Sequence, residues 1–225
     1  MCAAQNQGSI NHPVGEKPLL RGKLHFYASF VALAGGIWLI YRSASLEAVT
    51  ASIIYSLALT SLFAISALYH VPTWPTQTRL WLKRLDHSAI FILIAGTATP
   101  IFEVGLSGDM RTQALTLIWT GASLGILQSI FWTNAPKALV ALLCVALGWL
   151  GAPYLLPLAP LVGIQGMWLL VSGGVVYSLG ALVYALRKPD LKPGVFGYHE
   201  LFHALVIVAA GLHYALIFSV ITKSG

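Results

Sequence analysis

The chain has 225 residues, of which 57% are apolar and only 9% charged, and its formal net charge is +6; its mean hydropathy is +0.78. A soluble domain carries about 25% charged residues, because its surface faces water. Lipid is therefore the expected solvent for most of this chain, which excludes a disordered protein, a disulfide-stapled secreted module and a conventional nucleic-acid binder. Cys2 lies in a polar tail and Cys144 in an apolar run, so no disulfide between them is expected.

The first 22 residues are polar and mixed, without the apolar segment or cleavage site of a signal peptide. A spanning helix needs about 20 mostly apolar residues. Seven runs qualify: 24–41, 47–70, 85–106, 113–132, 138–157, 165–186 and 199–222. Their length and lack of two-residue alternation predict helices. The fold class expected is all-α: a polytopic membrane protein with an N-terminal tail over 1–23, one seven-helix domain over 24–222 and a C-terminal tail over 223–225. Val71–Leu85, between the second and third runs, alternates aromatic and basic residues (Trp74, Arg79, Trp81, Lys83, Arg84) and is predicted to lie along the inner headgroup region. Gly121-Ala-Ser-Leu-Gly125 in the fourth run offers a small-residue packing face.

Basic residues give the orientation. Lys17, Arg21, Lys23, Arg79, Lys83, Arg84, Lys137, Arg187, Lys188 and Lys192 fall on one side, against Arg42, Arg111 and Lys223 on the other. The positive-inside rule then puts the N-terminus in the cytoplasm.

Ionisable residues at membrane depth are costly and mark function. Ser66 and His70 close the second run, Asp86 opens the third, and His199 and His203 open the seventh, all at the cytoplasmic end. Residues four apart on a helix differ by about 40° and about 6 Å, so Ser66 shares a face with His70, and His199 with His203. Two imidazoles on adjacent turns and a third from another helix suit a catalytic zinc site with an open fourth position. Asp86 or Ser66 would bind the metal's water or orient a ligand. His87 points away from Asp86 and is expected at an interface. His213 lies about 15 Å beyond His203 along the helix and is expected to be a packing residue; His12 and His25 belong to the tail and the first interface.

Ser66-Ala-Leu-Tyr-His70, Arg84-Leu-Asp86-His87-Ser-Ala-Ile with Ala95-Gly-Thr-Ala-Thr-Pro100, and His199-Glu-Leu-Phe-His203 resemble the hemolysin III family, within the wider superfamily of progestin and adiponectin receptors and alkaline ceramidases. The resemblance runs from the first span to the seventh. It implies Zn2+ held by His70, His199 and His203, with Asp86 and Ser66 beside the metal's water, near the cytoplasmic face. Relatives with this constellation are described as lipid-amide hydrolases acting on ceramide-like substrates. The chain lacks the long N-terminal domain of the receptor branch, which favours the short, prokaryote-like one.

The expectation is thus a zinc-dependent hydrolase of membrane lipids in a bacterial cytoplasmic membrane, with membrane lipids and a lipid-like substrate as partners and no nucleic acid. Zinc would acidify a water and polarise the scissile carbonyl, and Asp86 and Ser66 would be the catalytic side chains. Three alternatives stand beside it. His199-Glu200-Leu-Phe-His203 also reads as the H-E-x-x-H of zinc peptidases. A structural zinc would instead tie two helices together in a sensor or receptor. A cytolytic pore is weaker, because no span carries a polar stripe through the bilayer.

Overall fold

The computed structural model describes residues 17–223, and among them every element longer than an isolated bridge is a helix. Cys2 and His12 lie outside the described residues. The helices are α1 (Lys23–Tyr41), α2 (Leu46–His70), α3 (Thr76–Gly105), α4 (Gly108–Phe131), α5 (Lys137–Trp149), α6 (Leu155–Leu186) and α7 (Tyr198–Lys223). Six stretches are long and apolar enough to cross a membrane, with Lys137–Leu186 forming one of 50 residues.

The breaks between helices follow local chemistry. Ser45 caps α2 by accepting a hydrogen bond from the Ala48 amide at 3.1 Å, satisfying one of the orphan donors of the first turn. Pro75 precedes α3, and residues 76–95 contain neither Gly nor Pro. The helix therefore runs unbroken from Thr76. This corrects the expected interfacial segment: Arg79, Trp81, Lys83 and Arg84 belong to the first turns of α3 itself, with the Arg84 guanidinium 4.5 Å from the Trp81 ring centre.

The fifth expected span also differs. α5 ends at Trp149, followed by a 3₁₀ turn over Ala152–Tyr154. Gly148, Gly151 and Pro153 interrupt the pattern here. Within α6, Gly163 leaves the helix at φ 64° and ψ −177°. α5 and α6 pack antiparallel: the Lys137 ammonium sits 4.6 Å from the Tyr184 ring centre, and Trp149 Nε1 donates to Ser178 Oγ at 3.1 Å.

The core lies between α2, α3 and α7, where Tyr55, Phe91, Leu216 and Ile217 are fully buried. The small-residue face of α4 packs inside this chain: a Cβ on Gly125 would fall 2.2 Å from Phe91 Cδ1, and one on Gly121 2.5 Å from Leu147 Cδ1. One end of the bundle is tied across by its connections. Lys17 donates to the Val71 carbonyl at 3.1 Å, the Leu19 amide to the Gly194 carbonyl at 3.0 Å, Lys83 to Asn134 Oδ1 at 3.5 Å and Lys137 to the Tyr198 hydroxyl at 3.0 Å. The N-terminal segment and the α2–α3, α4–α5 and α6–α7 connections therefore share that end.

Candidate metal centre

That same end holds the histidines. His70 is the last residue of α2. His199 and His203 lie on the first two turns of α7, which begins at Tyr198. All three are buried, and one ring nitrogen from each lies within 4.8 Å of the others. His70 Nε2 and His199 Nε2 are 3.1 Å apart. A tetrahedral ion with nitrogens at 2.0–2.1 Å separates its ligand atoms by about 3.3 Å, a separation that the His70–His199 pair already matches. The three histidines could hold a metal ion.

Asp86 arrives from the third turn of α3 with Oδ2 3.6 Å from His70 Nε2. Ser66, one turn before His70, is buried and lines the same cavity. The structure thus brings His70, Asp86, His199 and His203 together, with Ser66 on the wall of the same cavity.

Three findings go beyond that expectation. His25, expected at the first interface, is 3% exposed and stacks on His203 with ring centres 3.8 Å apart and planes 3° from parallel. Neither of its ring nitrogens has a hydrogen-bond partner. Glu200, the acidic residue of the H-E-x-x-H pattern, is 1% exposed and fully engaged. One oxygen accepts from Arg21 Nε, and the other accepts from the Gly197 amide at 2.9 Å, as in a capping box. His87, expected to point away, lines the cavity beside Asp86. His213 behaves as expected for a packing residue, with Nε2 3.1 Å from the Leu170 carbonyl oxygen.

The centre opens into a cavity of about 800 Å³. Its far reach is lined by Leu93, Ile94, Ile118 and Leu158, so polar chemistry sits at one end and apolar volume at the other.

A family description, "Haemolysin-III related", matches residues 15–214. The chain belongs to the hemolysin III family. The matched stretch contains Ser66, His70, Asp86, His199 and His203. Hemolysin-3 of Bacillus cereus is 33% identical over 161 residues, covering 72% of this chain and 70% of that protein. The monocyte to macrophage differentiation factor of Homo sapiens is 24% identical over 176 residues, 76% of this chain and 70% of its own. An adiponectin receptor protein of Drosophila melanogaster is 30% identical over 149 residues, covering 59% of this chain and 33% of that protein. Hemolysin III proteins therefore stand within the progestin and adiponectin receptor superfamily, and the helices able to span a membrane mark this member as an integral membrane protein.

Proposed function

We propose that this hemolysin III protein is a zinc-dependent hydrolase of lipid amides or esters, ceramidase-like and serving membrane lipid homeostasis. The observation that carries this reading is three buried histidine nitrogens converging within 4.8 Å at one end of a mostly apolar cavity. His70, His199 and His203 would hold the zinc, which when bound supplies a Lewis acid for a carbonyl oxygen and acidifies water. Asp86 approaches His70 at Nε2, the nitrogen that also faces His199. Its carboxylate therefore lies on the open side of the trio rather than behind a ligand ring. From there Oδ2 holds a water and takes its proton as the water attacks the scissile carbonyl. Ser66 Oγ donates to the substrate oxygen, and the apolar depth of the cavity accepts acyl chain. The engagement of both Glu200 oxygens favours Asp86 over Glu200 as proton acceptor, and so a lipid hydrolase over a protease.

The same reading includes seven crossings, with the N-terminus in the cytoplasm of a bacterial inner membrane. Lys137 and Tyr198, which flank the 50-residue apolar stretch and the loop after it, meet at one end of the bundle. A stretch that leaves and returns to that end crosses twice.

The test compares zinc content by mass spectrometry and lipid turnover for wild type and His203→Ala. The expected result is about one zinc per chain in the wild type, with both zinc and turnover lost in the variant. Full zinc loading or unchanged turnover in the variant would overturn the assignment. Unfolding on chelation, with no turnover in the zinc-loaded protein, would support a structural ion in a sensor or receptor.

A further inference from the structure

The mouth of the cavity carries charge that the proposed chemistry does not use. Lys17, Arg79, Lys83 and Lys137 line it from the N-terminal segment, α3 and α5, and the one carboxylate in the lining among the described residues is Asp86. The ion pairs of the described residues are Arg21–Glu200, Arg111–Glu103 and His70–Asp86. None of the four cations therefore has a carboxylate partner. Three of them donate to neutral acceptors: Lys17 to backbone carbonyls at 3.1 and 3.2 Å, Lys83 to an Asn134 oxygen at 3.5 Å and Lys137 to a tyrosine hydroxyl at 3.0 Å. Burial, then the charges of Arg21 and Arg79, hold the Lys17 ammonium below its usual range.

A positive-inside bias alone puts cations on outward loops, in bulk solvent or among headgroups. Here two of the four, Arg79 and Lys83, begin a helical stripe. Arg79, Lys83, Asp86 and Ile90 succeed one another every three or four residues along α3, and the same face continues through Leu93 and Ile94 to Phe102. From Arg79 to Phe102 the rise is about 35 Å. One face of one helix thus passes from cationic, through the metal centre, to apolar over roughly the thickness of a bilayer core. A cleft lined by one sign of charge and walled by apolar groups concentrates its field on whatever enters.

We propose that the cavity binds single-chain or acylated amphiphiles with an anionic headgroup, a carboxylate or a phosphate, clasped by Lys17, Arg79, Lys83 and Lys137 while the chain lies along α3. This rests on the hydrolase reading for its substrate class, yet the binding itself needs no turnover. A neutral headgroup leaves the four charges unmatched; an anion satisfies them, and Arg79 can grip it with two parallel N–H donors.

The experiment uses the purified full chain in nonionic detergent, treated with chelator so that zinc contributes nothing. Palmitate, hexadecyl phosphate, hexadecanol and hexadecyltrimethylammonium compete against a fluorescent sixteen-carbon probe. None contains the carboxylic amide or ester bond that the hydrolase reading cleaves, so failure of that reading leaves this outcome untouched, and turnover of a neutral lipid without anion preference would sink this proposal alone. The expected result is at least about tenfold tighter binding of one or both anions than of hexadecanol, weakening as salt is raised; which anion is preferred identifies the headgroup. Lys83→Gln/Lys137→Gln should abolish the preference. Lys23→Gln/Lys188→Gln, which removes equal charge outside the cavity lining, should keep it. Equal binding of hexadecanol in the wild type, retained preference in the first double variant, or equal loss in the second would each overturn the proposal.

Discussion

Glu200 is held between a guanidinium and a backbone amide, a position that suits a clamp better than a proton carrier. It fixes the first turn of α7, and with it His199 and His203, to the N-terminal segment. Glu200→Gln keeps an oxygen for one donor and weakens the other contact. Hydrogen bonds to charged groups contribute about 1.5–3 kcal/mol, and Arg21 is partly exposed, so a loss of about 1–2 kcal/mol in stability is expected. Turnover should stay within about threefold of wild type. Thermal unfolding followed by tryptophan fluorescence, beside lipid turnover, checks both; a turnover loss above about a hundredfold at unchanged stability would instead make Glu200 the general base of an H-E-x-x-H site. The trio itself was legible because histidines are rare at membrane depth, two of them stand four residues apart, and the third shares a face with Ser66. His25 was not, although it starts the first span at the same depth as His70. Alone at a helix start it carried no spacing partner, and only the packing of α1 beside α7 sets it on His203.

Among the elements, α1 reaches the centre through its N-cap. Gly22 has φ 77°, and a Cβ there would fall 2.7 Å from His70 Cβ. Gly108, at the start of α4, has φ 56° but open space around its missing Cβ. The two glycines separate strain from steric displacement. Alanine at either position meets the left-handed penalty of about 1–2 kcal/mol, but only Gly22→Ala pushes on His70. Gly22→Ala should therefore lose more stability than Gly108→Ala, with zinc affinity falling about tenfold or more in Gly22→Ala alone. Competition with a metal indicator reads this directly, and unchanged affinity in Gly22→Ala would show that the α1 cap does not position the centre. Helix existence was readable throughout, since apolar runs of this length have no other form in lipid. The start of α3 was not, because hydropathy falls at Arg79–Arg84 while helix propensity does not. A polar, Pro-free and Gly-free stretch simply extends the helix beyond its apolar run.

For the whole molecule, the informative quantity is length. Fifty residues of helix would span about 75 Å, more than twice the roughly 30 Å of a bilayer core, so Lys137–Leu186 cannot be one straight crossing. The sequence indicated two spans here, and the break at Gly163 and the contact of Lys137 with Tyr184 give that a physical form, although α5 ends well before residue 157. Its apolar stretch continues through a 3₁₀ turn and the Pro-containing start of α6, and hydropathy does not register such a bend. The consequence is testable in cells. In a background with Cys2 and Cys144 replaced, single cysteines at Asn134 and Leu191 flank the stretch, while Met110 at the start of α4 lies at the other end of the bundle. With two crossings, Asn134→Cys and Leu191→Cys share one side and resist a membrane-impermeant maleimide in intact cells, whereas Met110→Cys is labelled. A single crossing would put Asn134 and Leu191 on opposite faces, so labelling of one but not the other would refute the seven-span topology. Labelling of both, with Met110→Cys protected, would keep seven spans and reverse the orientation, moving the histidine centre to the outer face.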